Sequence, residues 1–276
     1  MQRALISLFR WLPLWVLYAV MALVIPFYML LASGFRASYR FFRRRMGYGA
    51  LRSFFHVYLN EFRMGTVVLD RFAAYAGKMF DIQVLRMDLF DALEKGEGGF
   101  LMLSSHTGCY EMAGYKFVSK RKTIHALVFP GETQTMSQNR SRMFASTNVK
   151  MVPVQEDLSH IFILSNALSD GQIVSMPGDR AFGSNKLVRV PFFGEDAAFP
   201  AGPFTLAAQR EVPVLSVFVM KEGYGKYRAY LEQLPLCPGL PRSEQVRTMA
   251  AAYAACLESI VRKYPDQWYN FYDFWK

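Results

Sequence analysis

Cysteine is scarce in this chain: Cys109, Cys237 and Cys256 are the only three in 276 residues, an odd number without paired spacing. Neither a disulfide framework nor a cysteine-rich zinc site is indicated, and the globular part is expected to face a reducing compartment. Acidic residues are also few, with 22 Asp and Glu against 32 Lys and Arg for a net charge of +10. That balance favours anionic partners: nucleic acid, anionic lipid, phosphorylated substrates or an acidic carrier protein. No Gly-x-Ser-x-Gly elbow, P-loop or His-Glu-x-x-His helix occurs, so the hydrolase, ATPase and zincin readings fall away. There is no internal repeat, no low-complexity tract and no loop long enough to be an interdomain linker. What remains, 52% hydrophobic, is enough to bury a full core and reads as one large domain plus an appendage.

Charge is absent altogether from Trp11 to Phe35. The run is long enough to cross a hydrocarbon layer of roughly 30 Å, Pro13 and Pro26 notwithstanding, so residues 1–35 are expected to be an N-terminal membrane helix. Arg3 and Arg10 precede it, whereas Arg36, Arg40, Arg43, Arg44 and Arg45 follow; the positive-inside bias puts the rest of the chain in the cytoplasm. A helix lying in the interface without crossing is the alternative. Residues 36–80 alternate arginine with Phe35, Tyr39, Phe41, Phe42, Phe54, Phe55, Tyr58 and Phe62, and read as basic aromatic helices against anionic headgroups. Tethering to a bilayer argues against nucleic acid as the partner of this stretch.

Residues 81–276 alternate between strand and helix patterns. Strands are expected at 82–85, 100–103, 124–129, 150–154, 172–176, 188–192 and 214–220, and helices near 111–118, 137–146, 158–168, 203–210 and 243–263, after a helical pattern running on from Thr66. The fold class is therefore α/β, a mixed, largely parallel sheet flanked by helices.

The most informative stretch is Gly98-Gly-Phe-Leu-Met-Leu-Ser-Ser-His106-Thr-Gly-Cys-Tyr-Glu111. Positions i and i+5 of a regular helix lie roughly 140° apart, so His106 must come from the turn after a strand. Glu111, one turn into a helix starting near Thr107, can then accept from Nδ1, leaving Nε2 to take a proton. Amides near Thr107 and Gly108 could stabilise an oxyanion. Cys109 reads as a small buried packing residue, and Ser104 and Ser105 as turn hydroxyls. A second cluster, Met176-Pro-Gly178-Asp179-Arg180 with Lys186 and Arg189 shortly after, has the profile of a phosphate-binding turn, to which Arg140 and Arg142 could add. Asp179 could instead pair with Arg180 or cap the turn.

Together these residues resemble the lysophospholipid acyltransferase superfamily. Its first block is His-x4-Asp/Glu, as in His106 to Glu111, and its third places an arginine on phosphate, as Arg180 would be. The likeness is closer to the bacterial lipid A lauroyl and myristoyl acyltransferases, through Val190-Pro-Phe-Phe-Gly194, Gly202-Pro203, Val212-Pro-Val214 and the tail Tyr264-Pro-Asp-Gln-Trp268. Gly178-Asp179-Arg180 stands where those enzymes show an acidic turn, and Gly131 to Arg142 lacks their acceptor-side pattern; Leu69-Asp-Arg-Phe-Ala73 looks more like relatives from aryl polyene pathways.

The resemblance implies a membrane-bound acyltransferase that moves a fatty acyl chain from acyl carrier protein or acyl coenzyme A to a lipid A-like or other glycolipid hydroxyl. His106 would be general base and Glu111 its orienter, with no acyl-enzyme, metal or cofactor beyond the acyl thioester co-substrate. Gly178, Asp179, Arg180, Arg140 and Arg189 would contact substrate. Other acceptors (a lysophospholipid, an amino-acid lipid or an aryl polyene lipid) stay open, as does a non-catalytic lipid-binding protein.

Overall fold

A computed structural model of the chain describes residues 12–31, 34–129, 147–180 and 186–275. The expected helix over 137–146, with Arg140 and Arg142, lies outside the described residues, as do Arg3 and Arg10.

Seven strands form the main sheet, in the order β1 (Asp81–Leu85), β9 (Lys226–Gln233), β8 (Val214–Gly223), β2 (Phe100–Ser104), β5 (Ile173–Pro177), β3 (Ile124–Val128), β4 (Val149–Pro153). Every pairing is parallel except the β8–β9 hairpin, as the alternating pattern predicts. A second, two-stranded antiparallel sheet joins β6 (Leu187–Phe192) to β7 (Glu195–Pro200). On β2, Leu101 and Leu103 point into a core with Phe204 and Tyr253, while Phe100 and Met102 pack with Phe90 and Val217. Both faces of the strand are thus dry, as expected for a sheet sandwiched between helices.

Helix α1 (Leu14–Leu31) lies along α3 (Ala50–Tyr75), with the short α2 (Phe35–Arg40) and a π-turn (Phe41–Arg45) between them. Around the sheet follow α4 (Met87–Lys95), α5 (Ser159–Ser169), α6 (Gly202–Arg210) and α7 (Arg242–Lys263). Pro26 sits inside α1 and has no N–H to offer the carbonyl of Ala22; the Tyr58 hydroxyl of α3 donates to that carbonyl instead, at 3.3 Å. The inner face of α1 buries Leu14, Ile25 and Met29, whereas Trp15, Leu23 and Phe27 remain exposed, Leu23 and Phe27 by more than 70%. Among the described residues no helix is long and apolar enough to cross a membrane.

Strands β7 and β9 and helix α4 go beyond the sequence expectation. β7 reads Glu-Asp-Ala-Ala-Phe-Pro and β9 Lys-Tyr-Arg-Ala-Tyr-Leu-Glu-Gln, patterns rich in charge whose pairing is decided by their hairpin partners rather than by propensity.

Candidate active site

Strands β2 and β5 are parallel neighbours, paired Ser104 to Pro177 at their carboxyl ends. The turns that leave them, Ser105–Cys109 and Gly178–Arg180, therefore emerge side by side, with β8 flanking β2 on the other edge. A crevice outside the carboxyl ends of parallel strands is the usual ligand position in α/β folds.

His106 leaves β2 into this crevice, and both of its backbone-proximal nitrogens meet one carboxylate. Asp179 Oδ2 accepts from the His106 amide at 2.8 Å, and Oδ1 lies 2.8 Å from Nδ1. Asp179 is 2% exposed and His106 partly open. The Nδ1 position assigned to Glu111 by the sequence reading is held by Asp179. Glu111 instead accepts from Arg71 Nη1 at 2.9 Å and from the Tyr75 hydroxyl at 2.5 Å, both on α3.

The reason lies in the turn. Gly108 takes φ +50° and Cys109 an extended conformation, so no α-helix starts at Thr107; a single 3₁₀ helix, Tyr110–Tyr115, follows. Gly108 has no alternative, because a Cβ there would sit 2.0 Å from the Val219 carbonyl oxygen in a conformation side chains disfavour. Of the amides around the turn, Gly108 N–H donates to Gln267 O at 2.8 Å and Cys109 N–H to Val219 O at 2.7 Å.

The C-terminal segment clamps this turn from the other side. Tyr269 N–H donates to His106 O at 2.9 Å, and Thr107 bridges to Trp268. The Gln267 side chain exchanges two hydrogen bonds with the Lys221 backbone of β8. Arg180 Nη2 donates to the Tyr269 carbonyl at 2.5 Å. Gly178 packs under the Tyr253 ring, where a Cβ would fall 2.8 Å from Cζ, and its amide bonds to Ser104 O.

A cavity of about 260 Å³ collects His106, Glu111, Arg180, Arg71, Cys109 and Tyr110, floored by Met64, Val67, Val68 and Phe271. Burial, then the nearby Glu111 charge, pushes the Cys109 thiol up to about 12, which leaves it protonated and inert as a nucleophile. Of the expected site residues, His106, Glu111 and Arg180 line the cavity, Asp179 supports it from beneath His106 and Gly178 packs behind it. Arg189 is exposed on β6 and is not among the residues lining this cavity. Arg71 and Tyr75 were missed, although their i, i+4 spacing places them on one face of α3. Among the described residues no cluster of His, Cys, Asp and Glu could hold a metal ion.

Comparison with known proteins bears on this crevice. The phosphatidylinositol mannoside acyltransferase of Mycolicibacterium smegmatis is 24% identical over 196 residues, covering 70% of this chain and 62% of that protein, so the chain spans less than two thirds of its relative's length. Among solved structures, the 1-acyl-sn-glycerophosphate (LPA) acyltransferase of Thermotoga maritima superposes with a TM-score of 0.45 at 12% identity, over 94% of this chain and all of that one, too slight a likeness to argue from. The model of the family described as bacterial lipid A biosynthesis acyltransferase matches residues 69–276, which include the β2 and β5 turns and the C-terminal clamp. The chain belongs to the family described as bacterial lipid A biosynthesis acyltransferase.

Proposed function

We propose that the protein transfers a fatty acyl chain from an acyl thioester, carried by acyl carrier protein or coenzyme A, to a hydroxyl of a lipid A-like or other glycolipid. The observation that carries this reading is the His106–Asp179 pair in a half-apolar cavity. With Asp179 accepting from Nδ1–H, Nε2 is the nitrogen that acts as base. Nε2 takes the proton of the acceptor hydroxyl as its oxygen attacks the thioester carbonyl, and the tetrahedral intermediate collapses by expelling the thiolate. The imidazolium returns its proton to that sulfur, and no acyl-enzyme forms. The Mycolicibacterium relative is named for a glycolipid acceptor, which supports a glycolipid over a simple lysophospholipid. Incubating the purified protein with acyl carrier protein and coenzyme A thioesters and the lipid extract of a deletion strain should yield one acylated glycolipid that the strain lacks. An acylated lysophospholipid, amino-acid lipid or aryl polyene lipid would move the acceptor class, and no thioester turnover with any of them would remove the reading.

Arg180 is the proposed phosphate ligand. Its Nη2 is committed to the Tyr269 carbonyl, which fixes the guanidinium at the cavity wall. Arg180→Ala is expected to lower kcat/KM by about 1.5–3 kcal/mol, the scale of a charge-assisted hydrogen bond. Arg180→Lys should recover only part of it, because an ammonium lacks the planar fork. If Arg180 serves only the C-terminal clamp, kinetics with a phosphorylated acceptor and either donor will be unchanged once the melting temperature is matched.

The membrane reading takes the interfacial form. An 18-residue α1 is roughly 27 Å long, and its inner face is occupied by α3. What it offers a bilayer is one apolar side, Trp15, Leu23 and Phe27, to which α3 adds exposed Leu51, Phe54 and Phe55. The protein is expected to fractionate with bacterial inner membrane, its C-terminus in the cytoplasm. Each large apolar side chain is worth about 1.5–3 kcal/mol when fully buried. The triple variant Trp15→Ser, Leu23→Ser, Phe27→Ser should therefore partition at least about tenfold less onto anionic vesicles, its thermal melt unchanged. Undiminished flotation, or a periplasmic signal from a C-terminal reporter, would overturn this placement.

A further inference from the structure

Acyl transfer builds negative charge on the thioester oxygen, and preorganised donors at that point usually supply a large share of catalysis. Three amides of the catalytic turn are already engaged. The amides of His106, Gly108 and Cys109 are bound to Asp179, Gln267 and Val219. A cationic side chain in the cavity wall can donate there.

Arg71 is placed to do so. It lines the cavity that holds His106. Only Nη1 is used inside the protein, on Glu111. Nη2 makes no hydrogen bond to any described residue, and Nε is buried without a partner. Nη2 is thereby the donor left for an anion in the cavity, on a rigid and permanently charged fork. An orphaned N–H in a buried position costs on the order of 1–3 kcal/mol, and such groups in native proteins call for a reason, often catalytic. Glu111 supplies the counter-charge from the far side: burial opposes the charged guanidinium, and the carboxylate more than offsets it, so Arg71 stays cationic.

We infer that Arg71 is a catalytic residue, its Nη2 donating to the oxyanion of the tetrahedral intermediate, and that Glu111 is the residue that positions it. The inference rests on the acyl-transfer reading above. As the acceptor oxygen bonds to the carbonyl carbon and its proton passes to His106 Nε2, the carbonyl π pair moves onto oxygen and is held by Arg71. When the C–S bond breaks, that pair returns to re-form C=O, the thiolate takes the proton from His106, and Arg71 is left unchanged.

The test is thioester turnover, followed by release of free thiol from palmitoyl-coenzyme A and from palmitoyl carrier protein with native lipid extract as acceptor. Arg71→Met should lower kcat by about 10²–10³-fold, the loss found on removing one oxyanion donor, with KM for the thioester changed less than about threefold. Because Arg71→Met strands the Glu111 charge, Arg71→Met/Glu111→Gln is the folded companion and should show the same kcat loss, while Arg71→Lys should remain stable yet recover only part of the rate. A folded variant with wild-type kcat, or a loss confined to KM, would overturn the assignment. Full turnover by His106→Ala in the same assay would instead overturn the acyl-transfer reading beneath it.

Discussion

His106→Ala is expected to leave a folded, vesicle-bound protein with no measurable acyl transfer. General-base assistance is worth about 10²–10⁴-fold, and of the other ionisable groups in the cavity the Cys109 thiol stays protonated while the Glu111 carboxylate is engaged by Arg71 and Tyr75. Asp179→Asn is the sharper companion. Its oxygen would keep the His106 amide hydrogen bond, but its NH₂ would now face Nδ1. Nδ1 would turn acceptor and the ring proton would move to Nε2, the atom that must receive a proton. The same exchange in a Ser-His-Asp triad costs about 10⁴ in kcat, and a loss of similar order is expected, with the melting temperature nearly unchanged because size and one hydrogen bond are kept. Steady-state kinetics and thermal melts on the two variants check this. Near wild-type turnover in folded His106→Ala would remove His106 from the chemistry, and an active Asp179→Asn would show that the tautomer is not set by residue 179.

The sequence made His106 readable because a strand, a polar turn and a histidine set in it are all local features. Its partner was not readable. Choosing between Glu111, five residues away, and Asp179, seventy-three away, depends on β5 lying beside β2 in parallel register. Two local facts decided it: Gly108 turned to φ +50° by the close approach of Val219 O, and the short 3₁₀ helix that follows. Either would have been hard to foresee from helix propensity. Glu111 then swings to α3, where Arg71 and Tyr75 receive it.

The strands mostly followed from hydrophobic runs, since seven of the nine in the two sheets carry apolar stretches that satisfy the alternating β and α pattern. The N-terminal region was legible as apolar and basic, but its division of labour was not. Phe41 and Phe42 turn inward, Phe41 against Trp268 at a centroid distance of 4.9 Å, while Phe54 and Phe55 of α3 stay exposed. Composition cannot separate aromatics that fill a core from those that meet a bilayer, because the choice is made by the C-terminal segment packing beneath them.

That region is tied to the core by a buried ionic knot, where the largest loss of stability is expected. Asp70 of α3 is fully buried and accepts from Lys221 Nζ of β8 and from the hydroxyls of Tyr18 on α1 and Tyr227 on β9. Asp70→Asn should cost about 3–5 kcal/mol, since it leaves the Lys221 ammonium uncompensated in a dry site. Burial already holds Lys221 below its ordinary pKa, with the Asp70 charge opposing that pull, so removing the charge lowers it further. Between that lowered folded value and the ordinary lysine value near ~10.4, the unfolded chain keeps a proton the folded one has shed, and stability rises with pH. The deficit of Asp70→Asn relative to wild type should therefore shrink as pH is raised from 7 towards 10. Asp70→Asn/Lys221→Met removes both charges while keeping an acceptor for the two tyrosines, and should regain most of the loss. Urea melts of the three proteins across that pH range separate charge from packing. A deficit that is flat in pH, or a double variant no better than the single, would mean that the knot holds α1, α3 and β8 together by shape rather than by its ion pair.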